Sequence, residues 1–186
     1  MNKVTFVALA AAIALAGCGS GDADADGDGK ITTREVAAEA AGAVTPRPGQ
    51  YESKVQLLEM ELPEMAGVDT AQMKKMMQKS MTTTTRHCVT AEDAQNAAKQ
   101  MIQTPENESC SYSKFDVSGG NVDAEMACKN PDGSTSNMQL TGQIGREQTH
   151  MVMELDQALP GVPGGGKSHF KMQVDSRRIG ECTAKN

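Results

Sequence analysis

The sequence predicts an α+β fold, mainly antiparallel β, arranged as a single meander sheet or partly open barrel with two short helices. Three observations carry this. Apolar residues recur at every second position in segment after segment. Two intervening stretches switch to helical spacing and begin with capping residues. A Gly119-Gly120 pair separates two strand-like runs in the manner of a hairpin turn.

Taken in order, Tyr51, Ser53, Val55 and Leu57 alternate with Glu52, Lys54 and Gln56, the pattern of a strand with one buried face. Ser80 to Val89 is rich in threonine and strand-prone. Cys110 to Val117 and Asn121 to Cys128 form the two arms of the predicted hairpin. On the second arm Val122, Ala124, Met126 and Cys128 share one face, and Asp123 and Glu125 the other. Met138 and Leu140 repeat the pattern, as do Met151, Met153 and Leu155, and then Phe170, Met172 and Val174. One apolar and one polar face imply a sheet packed on one side only.

Asp69 is placed to cap a helix from Thr70 to Lys79, with Gln72 at the capping-box position. Thr90-Ala91-Glu92-Asp93 opens a second helix running to about Ile102. Pro63, Pro105 and the segment Pro160 to Gly166 mark loops. The chain has 13 Met, no Trp and few aromatic residues, so methionine must help fill the core. Met73, Met76 and Met77 stand at i, i+3, i+4 and predict a core-facing stripe. With Met60, Met65 and Met81 they also admit a thioether Cu(I) site; the helical spacing favours the stripe.

The N-terminus follows the plan of an export signal. Lys3 supplies the positive start and Val4 to Ala16 a run that is apolar except for Thr5, too short to span a bilayer, which takes about 20 residues. The run ends in Leu15-Ala16-Gly17-Cys18, which resembles a lipobox. It implies removal of residues 1–17 and lipidation of Cys18, whose acyl chains would anchor the protein to the membrane. Gly19 rather than aspartate after the cysteine resembles Gram-negative lipoproteins sorted to the outer membrane, facing the periplasm. The expected organisation is a signal peptide (1–17), a lipidated tether (18–48) and a β-rich domain (49–186). Beyond the signal, no stretch is long and apolar enough to cross a membrane.

Export suits the remaining cysteines. Cys88, Cys110, Cys128 and Cys182 form an even set without zinc-ligand spacing, which implies two disulfides. The pairing Cys88–Cys110 with Cys128–Cys182 is favoured, because the first would close a loop over one helix. The hairpin pairing Cys110–Cys128 is the rival.

Asp24-Ala25-Asp26-Gly27-Asp28-Gly29-Lys30-Ile31-Thr32-Thr33-Arg34-Glu35 resembles an EF-hand or dockerin-type calcium loop. Asp24, Asp26 and Asp28 would give carboxylate oxygens at positions 1, 3 and 5, and Gly29 the sharp turn at position 6. Lys30 would ligate through its carbonyl, Thr32 through its hydroxyl or a water, and Glu35 as the bidentate ligand. Hard oxygens and four acidic side chains suit Ca²⁺. Thr32 and Glu35 also form a capping box for an exit helix from Arg34 to about Ala41, with Gly42 beyond its end. Only residues 18–23 would precede Asp24 in the mature chain, so no entering helix fits, and the chain has no second hand. The loop is therefore expected to be poorly preorganised and weak, around 10⁻⁴–10⁻³ M. Otherwise the segment is only an acidic tether.

Pro48-Gly49-Gln50-Tyr51-Glu52, Cys88-Val89-Thr90-Ala91-Glu92-Asp93-Ala94, Cys110 with Tyr112-Ser113, Gly119-Gly120, Met126-Ala127-Cys128 and Arg177-Arg178-Ile179-Gly180-Glu181-Cys182 together resemble the domain of unknown function 3617 family. The resemblance covers roughly residues 49–182. It implies an exported protein and a domain extent, and supplies no activity.

A net charge of -6 argues against nucleic acid. No nucleophile elbow, zinc-protease helix or phosphate loop is present. His87, His150 and His169 are isolated, and Arg177 and Arg178 read as sheet-edge charges rather than an anion site. The expected function is a non-enzymatic envelope lipoprotein that binds calcium. The alternative is a carrier of a lipid or other hydrophobic ligand, or a scaffold for an envelope protein.

Overall fold

The computed structural model describes residues 23–24, 26–29, 31–63, 69–101, 109–161 and 166–183. In chain order the elements are α1 (Thr33–Ala40), β1 (Gly49–Glu61), α2 (Thr70–Met81), β2 (Thr83–Val89), α3 (Ala91–Met101), β3 (Ser109–Asp116), β4 (Asn121–Lys129), β5 (Thr135–Ile144), β6 (Gln148–Ala158) and β7 (Lys167–Gly180). The strands make one 7-stranded antiparallel sheet in the order β2-β1-β7-β6-β5-β4-β3. Strands β3 to β7 form a meander, and β7 returns against β1. Of the two expected forms the chain adopts the open sheet, with β2 and β3 as its edges. Ser80 and Met81, expected in a strand, complete α2 instead.

The period-two pattern sets the register. Met60, Phe170, Leu155, Met138 and Met126 line up across five strands. Leu57, Met172, Met153, Leu140 and Ala124 form the next rung, and Val55, Val174, Met151, Gly142 and Val122 the third. A shift between Leu57 and Glu59 keeps both Leu57 and Met60 on this apolar face, as a bulge does by adding one residue to one strand.

The core is concentrated at the β3–β5 side, where α1 lies on the sheet. Val36 and Ala40 of α1 are 0% and 1% exposed and pack with Phe115, Val117, Val122 and Ala124. Burying a valine this completely stabilises by about 1.5–3 kcal/mol. Along the central strands Met138, Met153, Leu155, Phe170 and Met172 are only partly buried. The expected core-facing stripe of α2 forms only in part, with Met73 and Met77 half-buried. No residue of α2 is buried, and Met76 is 69% exposed. Met65 lies outside the described residues.

Side-chain caps start the helices where expected. Thr32 and Glu35 make the full capping box of α1, and the Asp69 carboxylate accepts from Gln72 N at 3.0 Å. At α3 the box uses aspartate in place of glutamate. Asp93 N donates to Thr90 Oγ1, and Asp93 Oδ2 accepts from Thr90 N. The hydrogen bonds that the carboxylate accepts from Thr90 N and Thr90 Oγ1 hold the Asp93 carboxyl below the usual carboxylate range.

All four expected cysteines are oxidised, in the rival pairing. Cys110 joins Cys128, with Cα atoms 4.0 Å apart, and Cys88 joins Cys182, at 5.4 Å. The favoured pairing fails on topology. The connection through α3 carries the chain from one sheet edge, β2, to the other, β3, so Cys88 and Cys110 lie on opposite edges. Register then places Cys110 directly across from Cys128. Cys88 is opposite Gln50, which also pairs with Gly180, so Cys182 arrives beside it.

Candidate metal centre

Asp24, Asp26 and Asp28 each offer a carboxylate oxygen, and the three oxygens lie within 4.8 Å of one another. The backbone wraps around them. Asp28 N donates to Asp24 Oδ1 at 3.1 Å and to Asp26 Oδ1 at 3.2 Å, and Gly29 N donates to Asp24 Oδ2 at 2.9 Å. Gly29 takes φ +79°, a left-handed conformation that glycine adopts without steric cost. The donors are hard oxygens with a concentrated negative charge, a set that fits Ca²⁺.

The other predicted ligands are placed differently. Glu35 Oε2 accepts from Thr32 N and Thr32 Oγ1, both at 2.8 Å, and so holds the helix cap. The converging carboxylates are thus the three aspartates, with Thr32 and Glu35 adjacent at the start of α1. Lys30, like Cys18 and the signal segment, lies outside the described residues.

No sequence pattern pointed to what holds the loop in place. Ala23 N donates to Phe115 O at 3.0 Å, and Ile31 forms an isolated antiparallel bridge with Tyr112. The aspartate-bearing part of the loop is therefore pinned on both sides to the edge strand β3. The Tyr112 and Phe115 rings meet edge-to-face, with centroids 5.5 Å apart. A loop expected to hang as an unbraced half-hand is built onto the sheet.

Several titratable groups elsewhere on the sheet are paired. A groove of about 810 Å³ crosses the polar face, lined in part by Glu52, Lys54, His150, Asp175 and Arg177. In it His150 Nδ1 lies 2.6 Å from Asp175 Oδ1, and Asp175 Oδ2 accepts from Gln173 Nε2 at 2.6 Å. The hydrogen bond from His150 is the main reason the Asp175 carboxyl is held low. His169 pairs with Asp156 at 2.9 Å, which raises its pKa. His87 stacks on Tyr51. Arg177 and Arg178 are not edge charges, because β7 is interior to the sheet. Arg177 faces Glu52 at 3.4 Å, while Arg178 bonds the Pro48 carbonyl and Glu181.

The profile of one protein family matches residues 46–182 of the chain. The chain belongs to the family described as protein of unknown function (DUF3617). No curated protein and no solved structure matches it. The DUF3617 segment begins after α1, so the acidic loop and its helix precede it. Within the DUF3617 segment the two ends meet. The Pro48 carbonyl accepts from Arg178 Nε at 2.9 Å, Glu52 faces Arg177, and Cys88 is bonded to Cys182. A side chain at Gly49, where φ is +150°, would run into the Arg178 guanidinium and the Gly180 carbonyl. These motifs close the β2-β1-β7 side of the sheet. Among the described residues no helix is long and apolar enough to cross a membrane.

Proposed function

We propose that this DUF3617 protein is a non-enzymatic, calcium-binding lipoprotein of the bacterial envelope, anchored by lipid at Cys18 in the outer membrane and facing the periplasm. The observation that carries the calcium reading is the convergence of the Asp24, Asp26 and Asp28 oxygens in a segment fastened on both sides to β3. Asp24, Asp26, Asp28, the Lys30 carbonyl, Thr32 and Glu35 would hold the ion. The ion would neutralise three crowded carboxylates and stiffen the start of α1. Affinity in the range of extracellular modules, ~10⁻⁴–10⁻³ M, suits the calcium levels outside the cell. Calorimetric titration of the full chain is expected to saturate below ~10 mM. Glu35→Gln, which retains a capping-box residue, should weaken binding by about tenfold through the lost ligand charge. A flat titration, or equal affinity in Glu35→Gln, overturns the reading.

One observation favours a second reading, a carrier of an apolar ligand. The central rungs of methionine, leucine and phenylalanine are only partly buried. Mass spectrometry of the protein extracted from membranes bears on both readings. Acyl chains on Cys18 support the anchor, and an unmodified Cys18 removes it. A stoichiometric co-purified lipid supports the carrier, and a ligand-free protein counts against it.

A further inference from the structure

We infer that edge strand β3 is the other half of the metal loop, so that ion binding and the seating of Ala23, Ile31 and α1 on the sheet are one coupled equilibrium. The inference rests on the calcium reading above and extends the site to residues that carry no ligand oxygen. Ala23, immediately before the first aspartate, is 4% exposed and donates to Phe115 O at 3.0 Å. Ile31, immediately before Thr32, bridges Tyr112. The same short stretch of β3 thus clamps the aspartates on both sides. Beyond the loop, α1 continues the attachment. Val36 and Ala40 are inserted among Phe115, Val122 and Ala124, and Glu39 Oε1 accepts from Val117 N at 3.2 Å. Cys110–Cys128 ties β3 to β4 two positions before Tyr112.

The physical consequence follows from preorganisation. An unclamped acidic loop would have to order its backbone and bring three carboxylates together at the moment of binding, and that cost lowers affinity. The clamp has already done part of this through contacts with β3. By linkage, whatever the seating contributes to ion affinity, the ion returns to the seating. Val36 is therefore a positioning residue for the metal, although it touches only apolar neighbours.

Calcium titration calorimetry of the full chain, combined with amide hydrogen exchange, tests this. Val36→Ala keeps every aspartate yet is expected to bind calcium about fivefold more weakly or worse, the lower range of site-to-site coupling. In the wild type, saturating calcium is expected to slow exchange at the Ala23 and Val117 amides, with little change in β6. Unchanged exchange in β6 and β7 of Val36→Ala shows that the sheet is intact. Should that variant unfold, Glu39→Ala, which removes the acceptor for Val117 N, supplies the same comparison. Wild-type binding with unaltered affinity in the variants, or Ala23 and Val117 amides indifferent to calcium, overturns the coupling while leaving the calcium reading standing. No wild-type binding removes the calcium reading and the coupling together.

Discussion

Replacing both Cys88 and Cys182 by serine is expected to lower stability by about 4–5 kcal/mol, as closure of so long a loop implies. Replacing Cys110 and Cys128 should cost about 3 kcal/mol. The difference comes from sequence separation, 94 residues against 18, because the longer bridge removes more conformational freedom from the unfolded chain. The longer bridge also has more to hold. It fastens the end of edge strand β2 to the chain just past β7, across the β1 strand between them. A loss of this size approaches the whole stability of an ordinary domain, about 5–15 kcal/mol. Urea unfolding of the two double variants checks the order. Equal losses, or a larger loss for the hairpin bridge, would count against it.

Gly142→Ala is expected to cost about 3 kcal/mol or more. Gly142 lies in β5 at φ +153°, and an added Cβ would run into the His150 carbonyl and stand 2.8 Å from Met151 Cα. These are backbone atoms of β6, paired with β5 on that side, so the side chain cannot find room by changing rotamer. The unfavourable backbone conformation costs about 1–3 kcal/mol and the forced separation of strands a similar amount. Thermal unfolding of the variant, compared with Gly119→Ala, tests it. Gly119 also has positive φ, but nothing lies within 4 Å of its added Cβ. It should therefore lose only the conformational part. Matching losses at the two sites would show that strand crowding is not the cause.

The strands were readable because alternation is a local property. Val122, Ala124 and Met126 announce their shared face without reference to any other strand, and the same holds for Met151, Met153 and Leu155. Helix starts were readable for the same reason, since Thr32, Asp69 and Thr90 act on backbone amides three residues away. Disulfide pairing is a property of the whole topology. Two cysteines flanking one helix suggested a short closed loop, whereas that connection crosses the full width of the sheet. The methionine spacing in α2 is helical as expected, yet spacing alone does not say how deeply a helix packs, and α2 leaves Met76 exposed and no side chain fully buried.

The acidic loop shows the same division. Its three aspartates and Gly29 were identified by spacing, and they come together as the spacing implies. Its attachment was not legible. The Ala23–Phe115 hydrogen bond is made by backbone groups, which every residue carries, and the Ile31–Tyr112 bridge joins positions far apart in the chain. The expectation of no entering helix and no second hand suggested a loose segment. The sheet edge provides the bracing that those elements would otherwise give.

The most direct test of a calcium loop built onto the sheet edge is a calcium titration followed by ¹H–¹⁵N NMR of the full chain. The account predicts that amides from Asp24 to Glu35 shift together with Ala23, Tyr112 and Phe115, along one saturating curve with a midpoint of ~0.1–1 mM. Small shifts spread over the exposed carboxylates of the sheet, rising without saturation and sparing Tyr112 and Phe115, would contradict it.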